Sequence, residues 1–179
     1  MTDQPTRIRP RTLATVIVAC ALLVLTACSS GGASGGGGQD AASSEAAMQF
    51  TGKTLEGASF DSAALAGKPS VLWFWAPWCT VCRAEAPDVA AVAAEFSDDV
   101  TFVGVPGRGE VGPMRQFVAD TGTGGFKHVS DVDGTLWKQF GVVSQPSFVF
   151  IDASGQTELV PSGLSGDDLR RMTKSLVTS

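Results

Sequence analysis

Two cysteines two residues apart, Cys79 and Cys82, stand where the apolar run "SVLWFW" (70–75) gives way to a segment that reads as a helix. A pair at this spacing, on the first turn of a helix, can close a small disulfide ring. The first thiol sits where free backbone N–H groups and the positive end of the helix dipole stabilise a thiolate. The second lies one turn further in, more shielded from solvent. This asymmetry divides the labour: Cys79 attacks, or is attacked by, a substrate sulfur, and Cys82 resolves the mixed disulfide by displacing it. Such chemistry moves electrons between sulfurs and requires no metal and no organic cofactor.

Other uses of the pair fit the residues less well. A zinc site needs two further ligands, but the only histidine is His128 and the other two cysteines, Cys20 and Cys28, lie near the N-terminus. Haem attachment needs a histidine directly after the second cysteine, where this chain has Arg83. A purely structural disulfide across so tight a loop removes little chain entropy and stabilises weakly. A peroxidase places its nucleophilic cysteine in a different loop pattern.

The elements that must position the pair alternate along the chain. Short strands or hairpin arms are expected near Phe50 and near Ser59-Phe60, followed by a brief helical turn capped by Asp61 or Ser62 and ended at Gly67. "SVLWFW" and "VTFVGV" (100–105) are continuous, β-prone and apolar, as for strands buried on both faces of a sheet. Between them a helix from about Cys79 to Phe96 carries Val89, Val92, Ala93 and Phe96 at helical spacing. Pro113 fits the first turn of a further helix, "KHVSD" a short strand, and "GTLWKQFG" a helix stopped by Gly141. "SFVFID" (147–152), a "DASG" turn and "QTELVP" read as an antiparallel hairpin, and Gly166-Asp167 opens a last helix with Leu169, Met172 and Leu176 inward. The order describes an α/β fold with parallel strands first and an antiparallel hairpin at one edge. Trp73, Trp75 and Trp137 are expected in the core with Met114 and Met172. Trp78, flanking Cys79, should be exposed and face the substrate, and His128 structural, the alternative being an influence on a nearby thiolate.

The N-terminal region is of another kind. Arg7, Arg9 and Arg11 precede the apolar stretch "LATVIVACALLVLTAC", which ends abruptly at Cys28 and describes a secretory signal, residues 1–27. Leu25-Thr26-Ala27-Cys28 resembles the bacterial lipobox, which implies lipidation of Cys28; Cys20 also passes the pattern but is followed by more apolar residues. An uncleaved signal anchor and free secretion are the alternatives. Residues 28–47, rich in Gly, Ser and Ala, read as a flexible tether, and residues 48–179 as the folded domain. Without the first 27 residues the chain keeps 10 basic and 17 acidic residues, a net charge of −7 against −5 for the whole. This acidic balance offers no electrostatic footprint for nucleic acid. Membrane contact is therefore expected through the lipid alone.

"FWAPWCTVCRAEAP" resembles the active-site stretch of thioredoxins and, more closely, the extracytoplasmic TlpA/ResA/DsbE branch, whose pattern W-C-x-x-C-x-x-E-x-P is met by Trp78, Cys79, Cys82, Glu85 and Pro87. "FGVVSQPSFVFIDASG" resembles the second signature of that branch, with Pro146 at its cis-proline. The resemblance covers about residues 48–179 and is nearest to the small lipoprotein members of DsbE/DsbF type. It implies a thioredoxin-like fold: a central mixed sheet flanked by helices on both faces, an N-terminal hairpin extension, and a short insertion around residues 106–125. It also implies that Pro146 lies against the dithiol and leaves the backbone of Gln145 free to pair with an extended substrate. Read without it, Pro146 would be a trans proline beginning an edge strand.

Two departures stand out. Thioredoxin has a buried carboxylate where this chain has Trp73, so proton transfer to Cys82 needs another group. Glu85, about one turn beyond Cys82, is the candidate; an exposed or core-edge carboxylate is the alternative. The dipeptide between the cysteines is Thr80-Val81, without the Pro or His common in relatives. The implied function is a membrane-tethered disulfide donor to exported proteins, reoxidised by a membrane redox partner. The alternative is a reductant of disulfides or of apocytochrome thiols in cytochrome c maturation.

Overall fold

A computed structural model describes residues 48–178. The signal segment 1–27, Cys28 and the tether to residue 47 lie outside the described residues. No helix among the described residues is long and apolar enough to cross a membrane.

The described chain opens with a hairpin of β1 (Thr51–Lys53) and β2 (Ser59–Asp61), paired antiparallel with Gly52 opposite Phe60. A 3-10 turn at Ser62–Leu65 follows, where the Asp61 carboxylate accepts the Ala63 N–H at 2.8 Å, the cap expected of it. Then come β3 (Ser70–Trp75), α1 (Thr80–Glu95), β4 (Thr101–Pro106), α2 (Val111–Thr121), β5 (Lys127–His128), α3 (Thr135–Gln139), β6 (Ser147–Ile151), β7 (Thr157–Val160) and α4 (Gly166–Thr178). The five strands after the hairpin form one sheet in the order β5-β4-β3-β6-β7. β3 pairs parallel with β4 and antiparallel with β6, so the sheet is mixed and β3 is its central strand.

The alternation of side chains along each strand divides the core in two. Val71, Trp73 and Trp75 of β3, Phe102 of β4, and Phe148 and Phe150 of β6 face one side, against Val89 and Val92 of α1, Met114 and Phe117 of α2, and Leu169 of α4. Leu72 and Phe74, Val103 and Val105, and Val149 and Ile151 face the other, against Phe50, Phe60, Leu65, and Leu136 and Trp137 of α3. All six residues of β3 are buried, which is why its sequence is apolar without interruption. Residues 106–125, read as an insertion, hold a loop and α2, the crossover between the parallel strands β4 and β5. α1 packs against both α2 and α4, fixing the axis on which the cysteines are mounted.

His128 is structural, as expected. Its Nδ1 accepts the Trp75 indole N–H at 3.3 Å and its Nε2 faces the Thr123 carbonyl at 2.9 Å, so the ring is neutral with the proton on Nε2. Burial pushes its pKa down from the usual histidine value. Gly104, opposite His128 in the sheet, leaves room for this ring: a Cβ there would stand 1.9 Å from Nδ1.

Candidate active site

α1 begins just past the end of β3, the central strand of the sheet. Cys79 is its N-cap, with extended backbone (φ −76°, ψ 110°), and its Sγ accepts the Cys82 N–H at 3.0 Å. Ordinary N-cap residues offer an oxygen to that orphan donor; here a sulfur takes the position. Cys79 and Cys82 are joined in a disulfide with their Cα atoms 5.3 Å apart. Cys79 retains 6% of its surface and Cys82 none, so only the first sulfur meets an incoming thiol.

Around the disulfide three loops converge. Trp78 is 59% exposed and its indole N–H donates to the Arg108 carbonyl at 2.7 Å. The Gln145–Pro146 bond is cis, with Pro146 buried and Gln145 half-buried just before β6. Gly163, between β7 and α4, closes the third side. A Cβ there would stand 2.8 Å from Glu85 Oε2, 3.2 Å from Pro146 Cγ and 3.7 Å from Val81 Cγ1. The glycine therefore brings together the proline, the first turn of α1 and the carboxyl of Glu85.

Glu85 is buried on the face of α1 that also carries Cys82, three residues before it. Its Oε1 accepts the indole N–H of Trp73 at 2.8 Å, and it also accepts the Leu164 N–H. Burial pushes its pKa up to about 7, against the two hydrogen bonds, which favour the charged form, and with a smaller contribution from the charge of Asp88. The carboxyl is thus buried, not the exposed one of the alternative reading. The Trp73 indole, from the central strand, fixes the Glu85 carboxyl in this position.

The structure brings Cys79, Cys82, Pro146, Gln145, Trp78 and Glu85 to one end of the sheet. Sequence reasoning missed three contributors: the Trp73 N–H, Gly163 and Arg108. Trp73 read as core and is core; nothing in its type says which polar atom its nitrogen meets. Gly163 and Arg108 lie in loops far along the chain from the cysteines, and only the Gly107-Arg108-Gly109 turn signal marks either of them.

A family model described as AhpC/TSA matches residues 44–159. The chain belongs to the AhpC/TSA family. The soluble secreted antigen MPT53 of Mycobacterium tuberculosis is 43% identical over 138 residues, 75% of this chain and 79% of that one. The thiol:disulfide interchange protein DsbE of Yersinia pestis is 34% identical over 100 residues, 55% of this chain and 52% of its own length. The solved structure of MTB DsbF, in mixed oxidised and reduced forms, superposes with a TM-score of 0.72 at 45% identity, over 73% of this chain and 97% of that one. A secreted Mycobacterium tuberculosis disulfide oxidoreductase, homologous to E. coli DsbE, gives 0.70 at 43% identity, over 73% and 98%. This AhpC/TSA member therefore has the thioredoxin-like fold and is a thiol–disulfide oxidoreductase.

Proposed function

We propose that this oxidoreductase works outside the cytoplasm as a disulfide donor to exported proteins, tethered to the membrane through a lipid on Cys28. The observation that carries the direction is the Cys79 sulfur at the N-cap of α1, accepting the Cys82 N–H, with no acidic residue in the first turn of that helix. The Cys82 N–H and the positive end of α1 both favour the Cys79 thiolate, and stabilising the reduced form makes the disulfide a stronger oxidant. The secreted relatives support export, and the lipobox-like Leu25-Thr26-Ala27-Cys28 supports the tether.

The reaction runs in two exchanges. A client thiolate attacks Cys79 Sγ, the bond to Cys82 breaks, and Cys82 leaves as a thiolate that takes the proton of the Glu85 carboxyl. A second client thiolate then attacks the client sulfur of the mixed disulfide and expels the Cys79 thiolate. The client loses two electrons and two protons, and the enzyme gains them as a dithiol; a membrane partner bearing a disulfide takes them back. Gln145 offers backbone groups to the extended client beside the sulfurs, and Trp78 its exposed ring. The reverse direction, reduction of client disulfides including those of apocytochromes, has one observation in its favour: a carboxyl at about 7 accepts the Cys82 proton as readily as it gives one.

Stoichiometric oxidised protein, mixed with a reduced unfolded test protein whose activity needs disulfides, should restore that activity within minutes. A preparation that fails to do so, while its reduced form rapidly reduces insulin, would reverse the proposed direction.

A further inference from the structure

Among the described residues, Arg108 alone combines a side chain with a left-handed backbone, φ 53°. Glycine adopts that conformation most easily, and the neighbours of Arg108 are both glycines held by close approach. A Cβ on Gly107 would stand 2.6 Å from the Trp137 indole and one on Gly109 2.6 Å from the Pro77 ring. An arginine kept at the one place in this tight loop where a glycine would sit more easily points to work done by its side chain.

That work is visible. The Arg108 carbonyl accepts the Trp78 indole N–H at 2.7 Å. Its guanidinium donates to the Val143 carbonyl at 2.7 Å, reaches Gln145 Oε1 at 3.5 Å, and lies over the Trp137 ring with Cζ 4.9 Å from the centroid. One exposed residue thus ties the loop before Cys79 to the loop before Pro146. The two walls it joins carry bare apolar surface: Trp78 is 59% exposed and Val143 76%, with Val81 on the next turn at 57%. Walls of that kind, with the one guanidinium between them held by the Val143 carbonyl and the Trp137 ring, suit an apolar extended segment flanking a client cysteine.

We propose that Arg108 is a positioning residue for polypeptide clients: it sets the spacing between Trp78 and the Val143–Gln145 segment, and so the width of the groove that seats the chain on either side of the reacting sulfur. This rests on the reading of Gln145 and Trp78 as the client-docking elements. A small dithiol reaches Cys79 without spanning the groove, so Arg108 sets selectivity between clients and not the sulfur chemistry itself. Planarity matters, because one guanidinium serves a carbonyl, an amide oxygen and a ring face at once, which an ammonium group cannot do.

Arg108→Gly removes the side chain, eases the backbone and keeps the carbonyl that holds Trp78, so it folds. The test is single-turnover reduction of the oxidised protein, followed by tryptophan fluorescence. One arm uses an extended apolar peptide containing two cysteines, the other dithiothreitol. The ratio of peptide to dithiothreitol rates should fall about tenfold in Arg108→Gly, through a higher half-saturating peptide concentration and not a lower limiting rate, with Arg108→Lys recovering only part of it. A ratio unmoved in Arg108→Gly overturns the proposal, as does a fall expressed in the limiting rate with both substrates. If the wild-type protein reacts with dithiothreitol but shows no saturation with peptide, the docking reading itself is wrong and the proposal falls with it.

Discussion

Cys82→Ser protein, given a disulfide-bonded client, should accumulate as a covalent one-to-one adduct through Cys79, stable to denaturant and released by dithiothreitol. The reason lies in the burial difference across the pair. Cys79 retains an exposed edge and Cys82 none, so the client reaches only the first sulfur, and the only thiolate of the protein placed to displace it is the second. With an oxygen at position 82 the protein cannot resolve the intermediate, which then leaves only by return of a client thiolate. Turnover should fall by at least about a thousandfold, and Cys79→Ser should fall as far without forming an adduct. The double variant should be no worse than Cys79→Ser alone, since the two sulfurs act as one unit. Non-reducing electrophoresis and intact-mass measurement read the adduct directly. An adduct formed through Cys82 in the Cys79→Ser protein would exchange the two roles.

The second large effect concerns Glu85. Its folded pKa of about 7 lies above the ordinary 4.5, so the protonated form suits the fold and the charged form does not. A group raised in this way contributes its full stability below the unfolded value, and the contribution is lost as pH rises through the folded value. Between pH 5.5 and 8.5 the protein should therefore lose about 2 kcal/mol through this one carboxyl, at roughly 1.4 kcal/mol per pKa unit. His128, whose pKa burial lowers, acts with the opposite sign, destabilising the fold as pH drops below the usual histidine value. Urea unfolding of wild type against Glu85→Gln cancels His128, which both share, and the difference between the two should grow in favour of Gln as pH rises.

The same substitution removes the proposed proton donor to Cys82. At pH 6.5 the step in which Cys82 departs should slow by about a hundredfold, and the inflection near pH 7 in its rate should vanish. Persistence of that inflection in Glu85→Gln would assign it to another group. The stability and rate readouts answer separately, because a merely structural carboxyl would shift the first and leave the second in place.

How much of this was legible in the sequence follows from what each signal depends on. β3, β4 and β6 were readable because they are buried on both faces, and a run such as 70–75 admits few other readings. The split of each strand between two cores follows from the pleat and needed no coordinates. The dithiol was readable because its chemistry is local: two residue types, a spacing and a helix start. Pro146 was not readable from its own neighbourhood, where a trans edge proline was the plainer choice, and only the resemblance moved it. Glu85 hung between a proton-transfer role and an exposed or core-edge place because its surroundings, Trp73, Leu164 and Gly163, meet it only through the tertiary fold. Arg108 was invisible for the same reason: a loop arginine between two glycines gives no hint that its partners stand at positions 78, 143 and 145.

The most direct test of the account is the equilibrium potential of the Cys79–Cys82 pair, measured in glutathione buffers together with the thiolate pKa of Cys79. Stabilisation of the Cys79 anion at the helix start should bring the pair well above the −270 mV or so of thioredoxin and toward the −120 mV or so of DsbA, with the thiol ionised below neutrality. A potential at the thioredoxin end, with a Cys79 thiol ionising only near the ordinary cysteine value of about 8.5, would contradict it.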